Sequence, residues 1–246
     1  MRSMPVLLRT ECFELSSVYP TIRGSKEVFV IYSTYMTKQQ KAMEIFKRLL
    51  ADNPHPRVEL DYRTPWELLV AVMLSAQATD KLVNTVTPGL FVKFPTVSDM
   101  AKADVLDVDR EVSKVNFHYN KSKNIIASAK EIVAKHHGEV PQTMEDLDAL
   151  PGVARKTANV VLGSAFHIAS GIVIDTHGIR LANKLGLVDT PDPVKIEAEL
   201  MHLLPKETWI QFGQLLTLHG RHVCTARPHD CSHCPLGDLC PEYRLK

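Results

Sequence analysis

An all-α fold follows from three observations. Beyond residue 36 the chain divides into segments that open on Thr or Asp, side chains that cap helices, and close on Gly or Pro. Inside those segments apolar residues recur at spacings of three and four, the period of one helix face. Strand-like patterns are confined to short pieces such as GIVI, Gly171–Ile174.

The elements read as follows. In MTKQQKAMEIFKRLL, Thr37 caps a helix and Gln40 stands three residues on, the spacing of a capping box. TPWELLVAVMLSAQ has Thr64 as cap, Pro65 at the first helical position and Glu67 in the first turn. NKSKNIIASAKEIVAKHHG keeps the helical period and stops at Gly138. TMEDLDAL starts at Thr143 with Asp146 in a box-like position. DTHGIRLANKLG runs from a capping Asp175 to Gly186, and DPVKIEAELMHLLP runs from Pro193 to Pro205. ETWIQFGQLLTLHGRHVC then leads into a group of cysteines. The first 36 residues show no clear period. They read as an N-terminal extension, flexible or produced by a start codon placed too early, with Met36 as the natural start.

Composition sets outer bounds. A chain of 246 residues, 45% hydrophobic and 23% charged, suits one large or two small globular domains with a core that needs no disulfides. No apolar run approaches the roughly 18 residues of a membrane span. Arg9, Glu11 and Glu14 surround the only short apolar run near the N-terminus, which is not a secretory signal pattern. A cytoplasmic setting with no membrane partner is expected. The 29 basic and 28 acidic residues leave a net charge of +1, so any surface for nucleic acid must be local.

Of five cysteines, four cluster as C-x6-C-x2-C-x5-C at Cys224, Cys231, Cys234 and Cys240. In a reducing compartment such a cluster points to metal rather than disulfides. Four-cysteine zinc sites usually show two C-x2-C pairs, and only Cys231 and Cys234 form one here. The longer arms suit a cubane touched at four corners, and iron–sulfur runs tend to end Cys-Pro, as Cys240-Pro241 does. A [4Fe–4S] cluster is therefore favoured over zinc. His222, His229 and His233 are then unnecessary as ligands and read as surface residues. The loop 225–230 holds Arg227, which either offers a cation to a phosphate or is simply solvated.

LPGVARKTANVV, Leu150–Val161, places Pro151 and Gly152 in a tight turn between two helices. The second helix then exposes free N–H groups and its positive dipole end, which bind a phosphate without regard to base sequence. Gly152 permits close approach of that phosphate. A plain helix–helix connection has the same appearance. Lys156 lies roughly 200° around the helix from Ala158 of the apolar face, so it points away from the core. An amine beside a phosphate cradle is placed for Schiff-base chemistry, whereas a lone surface lysine is the plainer reading. Asp175, besides capping its helix, is a carboxylate that near an amine either takes its proton or stabilises a cationic sugar.

Taken in order, LSAQATD (Leu74–Asp80), GEVP (Gly138–Pro141), LPGVARKTANVVL, IDTH and the cysteine pattern resemble the endonuclease III family of helix–hairpin–helix DNA glycosylases. The resemblance spans about residues 37 to 243. It implies a two-lobed all-α fold: a six-helix barrel lobe over 58–168 containing the hairpin, and an iron–sulfur lobe built from 37–57 and 169–246. It implies a monomer with duplex DNA crossing the cleft. The implied activity is excision of oxidised pyrimidines, followed by β-elimination at the resulting abasic site. By motif, Lys156 is the nucleophile on C1′ and Asp175 the catalytic carboxylate, with its role as base or as electrostatic partner left open. Gln77 resembles the residue that fills the gap left by a flipped base. NFHYNKSKN, Asn116–Asn124, resembles the intercalating loop, with Phe117 as wedge. Gly152, Ala154, Arg155 and Arg227 are the implied DNA-backbone contacts, and the four cysteines the implied [4Fe–4S] ligands.

Three departures bear on DNA affinity. The hairpin has Ala154 where the family has a second Gly, and Ala does not cheaply take φ > 0. Asn116 and His118 flank the wedge in place of Gly and Tyr, and Pro228 stands where a second basic residue is common. Two other classes compete with this reading. A monofunctional mismatch glycosylase typically lacks the lysine. A non-catalytic DNA-binding or iron–sulfur redox module needs neither Lys156 nor Asp175.

Overall fold

A computed structural model describes residues 36–245. The expectations for the N-terminal extension and for a start at Met36 lie outside the described residues. Helix α1, Lys38–Asp52, opens with the capping box read from sequence: Gln40 N–H donates to Thr37 Oγ1 at 3.2 Å, and Thr37 N–H to Gln40 Oε1 at 2.9 Å. In α2, Pro65–Ser75, Thr64 Oγ1 accepts from Glu67 N–H at 3.2 Å and Pro65 takes the first helical position. Three helices follow that the sequence reading did not separate: α3 (Asp80–Lys93), α4 (Val97–Ala101) and α5 (Val105–Glu111), capped by Thr79, Thr96 and Asp104. Then come α6 (His118–Lys135), α7 (Met144–Asp148), α8 (Arg155–Phe166), α9 (Thr176–Lys184), α10 (Pro193–Leu203) and α11 (Trp209–His222). Single 3-10 turns close the cysteine region at Gly237–Leu239 and Pro241–Leu245.

The described residues contain no strand, and GIVI is extended without pairing. Its apolar side chains Ile172 and Ile174 are buried, but against helices rather than a second strand. A Cβ on Gly213 of α11 would fall 2.9 Å from the Val173 nitrogen, so the segment lies directly along that helix. The apolar run reads as a strand because Ile172 and Ile174 are buried while Val173 lines the cleft, a pattern that periodicity alone does not separate from a strand.

Two apolar clusters are buried. One gathers α2 to α8, with Leu68, Leu69, Leu74, Met100, Ile125 and Leu162 among its side chains. Helix α2 is central to it: Leu68 to Leu74 are all buried, and α3, α6 and α8 pack around it. The other combines α1 with α9 to α11 and the cysteine region, through Ile45, Phe46, Leu181, Phe212 and Leu236. Each such side chain withdrawn from water contributes roughly 1.5–3 kcal/mol before entropy is subtracted. Because α1 packs with the C-terminal elements, the chain leaves the second cluster after α1, builds the first, and returns at 171–175. That return segment carries Asp175.

Candidate active site

The hairpin is held by its backbone and by α6. Val153 N–H donates to Leu150 C=O at 3.0 Å, and Ser128 Oγ of α6 donates to Pro151 C=O at 2.7 Å. Gly152 has φ +77°, and a Cβ there would meet Asn124 side-chain atoms of α6 at 2.7–2.9 Å. Glycine is therefore required twice, by conformation and by space. Ala154 has φ −110° and ψ 165°, ordinary extended backbone. The departure from the family's second glycine thus demands no left-handed angle. Ala154 supplies no side-chain cap, so the first N–H groups of α8 have no partner within the helix.

Behind the hairpin lies a cleft between the two apolar clusters. Lys156 and Asn159 of α8, Asp175 of the return segment, and Gln214 and Thr217 of α11 all line it. The structure thus brings Lys156 and Asp175 to one cavity. Lys156 is exposed and makes no ion pair among the described residues. Asp175 caps α9, its Oδ1 accepting from Gly178 N–H at 2.8 Å.

A buried polar network fixes the two relative to each other, and sequence reasoning missed it. Glu197 of α10, 6% exposed, accepts from Arg155 Nε at 2.9 Å, Arg155 Nη2 at 3.0 Å and Asn159 Nδ2 at 2.9 Å. Ser170 Oγ donates to Asn159 Oδ1 at 2.7 Å. A Cβ on Gly171 would fall 1.9 Å from Glu197 Oε1, so the return segment passes directly over the carboxylate. The first turn of α8, the segment entering Asp175 and α10 are thereby locked together. The Arg155 guanidinium, expected from motif to face DNA, is committed to this carboxylate. No local pattern announces a pairing between residues so distant in the chain.

A second set of ion pairs spans the cleft mouth. Arg221 of α11 reaches Glu59 Oε2 at 2.7 Å and Asp80 Oδ2 at 2.5 Å, and His222 Nε2 lies 2.7 Å from Glu59 Oε1. His222 is thus an ion-pair partner as well as a surface residue. Burial pushes the Glu59 carboxyl up, but hydrogen bonds and charge from Arg221 and His222 outweigh it and hold it below its ordinary value.

The two residues assigned to the vacated base position and the wedge share an unusual backbone. Gln77, just past α2, is exposed with φ 57°. Phe117, at the start of α6, is 61% exposed with φ 56°. Asn116 Nδ2 donates to Gln77 C=O at 3.1 Å, so the two loops are bonded together. His118, where the family has Tyr, pairs through Nδ1 with Asp109 Oδ1 at 2.5 Å and pins the loop to α5.

A family model for the HhH-GPD superfamily of base excision DNA repair proteins matches residues 70–206. The chain is 47% identical to the endonuclease III of Synechocystis sp. over 205 residues, 83% of this chain and 94% of that one. It is 40% identical to the endonuclease III of Escherichia coli K12 over 206 residues, 84% of this chain and 97% of that one. The chain belongs to the endonuclease III family. Its fold is similar to that of a non-covalent endonuclease III–DNA complex, with a TM-score of 0.79 at 37% identity over 85% of this chain and 98% of the other. A trapped endonuclease III–DNA covalent intermediate matches with a TM-score of 0.78 at the same identity and coverage. No helix among the described residues is long and apolar enough to cross a membrane.

The cysteine region of this family member follows α11. Cys224 is buried and Cys231, Cys234 and Cys240 are half-buried, with Cys234 and Cys240 packed against the apolar cluster that holds Leu236 and Leu239. Backbone bonds from Cys234 N–H to Cys231 C=O at 3.0 Å and from Cys240 N–H to Leu236 C=O at 2.9 Å turn the chain back on itself. Burial raises the Cys234 thiol, and the other three cysteines raise it further, so all four sulfurs lie within electrostatic reach. Arg180 Nη1 approaches Cys224 Sγ, and His219 Nε2 approaches Cys234 Sγ, each at 3.7 Å. Among the described residues no three His, Cys, Asp or Glu side chains converge as ligands of a single ion. The donor set is all-thiol and partly sealed from water, with an Arg180 N–H directed at the Cys224 sulfur, a chemistry that suits a soft metal centre. His229, expected on the surface, is half-buried and its Nε2 has no hydrogen-bond partner among the described residues. Arg227 is exposed on the loop 225–230, its carbonyl accepting from Thr225 Oγ1 at 3.1 Å and His229 Nδ1 at 2.8 Å.

Proposed function

We propose that this protein is a bifunctional DNA glycosylase and abasic-site lyase, excising oxidised pyrimidines from duplex DNA in the cytoplasm. The observation that carries the reading is the convergence of Lys156 and Asp175 on one cleft, beside a hairpin whose following helix has no side-chain cap among the described residues. The Gly152 turn and the start of α8 take the DNA phosphate, with Arg227 as a further backbone contact. Phe117 wedges the stack open and Gln77 fills the gap as the damaged nucleotide turns into the cleft, at a cost of a few kcal/mol that a damaged base reduces.

The neutral amine of Lys156 attacks C1′. The N–C1′ bond forms as the glycosidic bond breaks, its electron pair leaving with the base. Asp175 either receives the proton lost from Lys156 or stabilises the positive charge that develops on the sugar. Opening of the sugar ring gives a Schiff base, loss of a C2′ proton follows, and the 3′ phosphate is expelled by β-elimination. The two buried apolar clusters correspond in this reading to the two lobes that grip the DNA. Cys224, Cys231, Cys234 and Cys240 would hold a [4Fe–4S] cluster, whose part here is to fold the chain that presents Arg227. Iron and acid-labile sulfide in equal amounts in purified protein support that assignment, and stoichiometric zinc overturns it.

Borohydride trapping on a duplex with one abasic site tests the chemistry. A covalent adduct is expected from the wild type and from Lys195→Ala, and none from Lys156→Ala. Asp175→Asn keeps the helix cap, since Asn caps as well as Asp. It should lose turnover far more than binding. No adduct from the wild type would favour a non-catalytic DNA-binding module.

A further inference from the structure

Lys121 is a buried titratable side chain, beside the loops of Gln77 and Phe117, that the proposed chemistry does not use. It lies one turn into α6 and is 9% exposed. Lysine is seldom buried without a counter-charge, because the ammonium loses its hydration. No carboxylate among the described residues pairs with it. Its Nζ instead donates to Leu74 C=O at 2.7 Å and to Ala76 C=O at 2.5 Å. These are carbonyls at the end of α2, groups that a helix leaves without internal partners. Burial lowers the pKa of the Lys121 ammonium.

The placement has a consequence on each side. The residue immediately after Ala76 is Gln77, in the left-handed region at φ 57°. The Lys121 N–H donates to the carbonyl of Phe117, also left-handed at φ 56°, at 3.0 Å. Each such non-glycine residue is strained and persists only where its surroundings over-determine it. The Asn116 bond to Gln77 C=O closes the loop between the two. Phe117 moreover stands 61% exposed, an apolar ring left in water by the free protein. Strain at two tips, a buried cation behind them and an exposed ring are individually unfavourable. They become intelligible together if a partner takes both tips at once.

Resting on the glycosylase reading above, we infer that Lys121 is a positioning residue for base extrusion. It clamps the end of α2 to the start of α6, so that Gln77 and Phe117 meet duplex DNA as one preformed two-pronged probe. A loose probe must be ordered on binding, at a cost in side-chain entropy. The clamp removes that cost from the step in which the base leaves the stack.

The test compares single-turnover excision of one oxidised pyrimidine in two duplexes. In one the lesion is paired opposite a purine; in the other it faces an abasic nucleotide and is already unstacked. Lys121→Met keeps the length of the side chain and deletes its donors. The expected result is a loss of about tenfold on the paired lesion, equivalent to about 1.4 kcal/mol of barrier, and little loss on the unstacked one. The Lys121→Met/Gln77→Ala double variant should be hardly slower on the paired lesion than Gln77→Ala alone, because both act through one probe. Equal losses on both duplexes, or additive effects in the double variant, would overturn the inference and leave Lys121 as a structural cap. Asn116→Ala removes the outer bond from an exposed side chain and should show the same split between substrates if Lys121→Met does not fold. Wild-type excision of the unstacked lesion keeps this test separate from the glycosylase reading itself. If that activity is missing, the activity assignment is wrong, whatever Lys121 does.

Discussion

Replacing Gly152 with alanine perturbs the hairpin in two ways that can be separated within this molecule. At φ +77° an alanine pays about 1–2 kcal/mol for the left-handed backbone. Its Cβ would also lie 2.7–2.9 Å from the Nδ2, Cβ and Cγ atoms of Asn124. The Asn124 Cβ is fixed to the α6 backbone, so the hairpin itself must move away, an overpacking cost of about 1–3 kcal/mol. Gly138 provides the reference. It has φ +84°, and nothing lies within 4 Å of the position its Cβ would take. Gly138→Ala should therefore lose only about 1–2 kcal/mol. Gly152→Ala should lose about 2–5 kcal/mol, or roughly 4–20 °C in Tm for a chain of this size. Urea and thermal unfolding measure both. Duplex binding then distinguishes the two sites functionally. Gly152→Ala should weaken it by at least about tenfold, since the displaced turn no longer presents its N–H groups to a phosphate, and Gly138→Ala should bind as the wild type does. Equal stability losses and unchanged binding in both variants would refute the assignment of the hairpin as a docked phosphate cradle.

Two further outcomes are expected. Glu197→Ala leaves the Asn159 amide, 4% exposed, without its acceptor, at a cost of about 1–3 kcal/mol, whereas the half-exposed Arg155 regains water and adds little. Glu197→Gln keeps one acceptor and should be milder, and thermal denaturation of the pair checks the order. The Glu59 ion pairs give a pH signature: because the folded-state carboxyl is held below its ordinary value, their stabilisation is present above the ordinary carboxylate range and is lost as the pH falls through the folded value. The difference in urea stability between wild type and Glu59→Gln should accordingly shrink on acidification, and a gap that widens would contradict it.

What could be read from sequence was mostly local. The Thr37–Gln40 box, the Thr64-Pro65 start, the Thr143 cap and the Asp175 cap each depend on residues within one turn, and each stands in the structure as expected. Helices α3 to α5 escaped because two are only 5 and 7 residues long and the third carries Pro88 inside it. GIVI was misread for lack of any signal of what it packs against. The groups that set the geometry of the site were illegible for a stronger reason. The Arg155–Glu197 pairing joins residues 42 apart, and the Lys121 contact to Leu74 joins residues 47 apart. Neither side chain differs in sequence from an ordinary solvated charge, and only the packing of α2, α6, α8 and α10 makes them partners. The family resemblance pointed to Lys156 and Asp175 as the residues of the proposed chemistry, without indicating what holds them in register.

The account rests on covalent bonding between Lys156 and the sugar of the damaged nucleotide. Digestion of the borohydride-reduced complex with an abasic-site duplex, followed by mass spectrometry of the DNA-linked peptide, locates that bond. The account predicts a single modified peptide carrying the nucleotide remnant on Lys156. Modification at another lysine, at the N-terminal amine, or spread over several sites would contradict it.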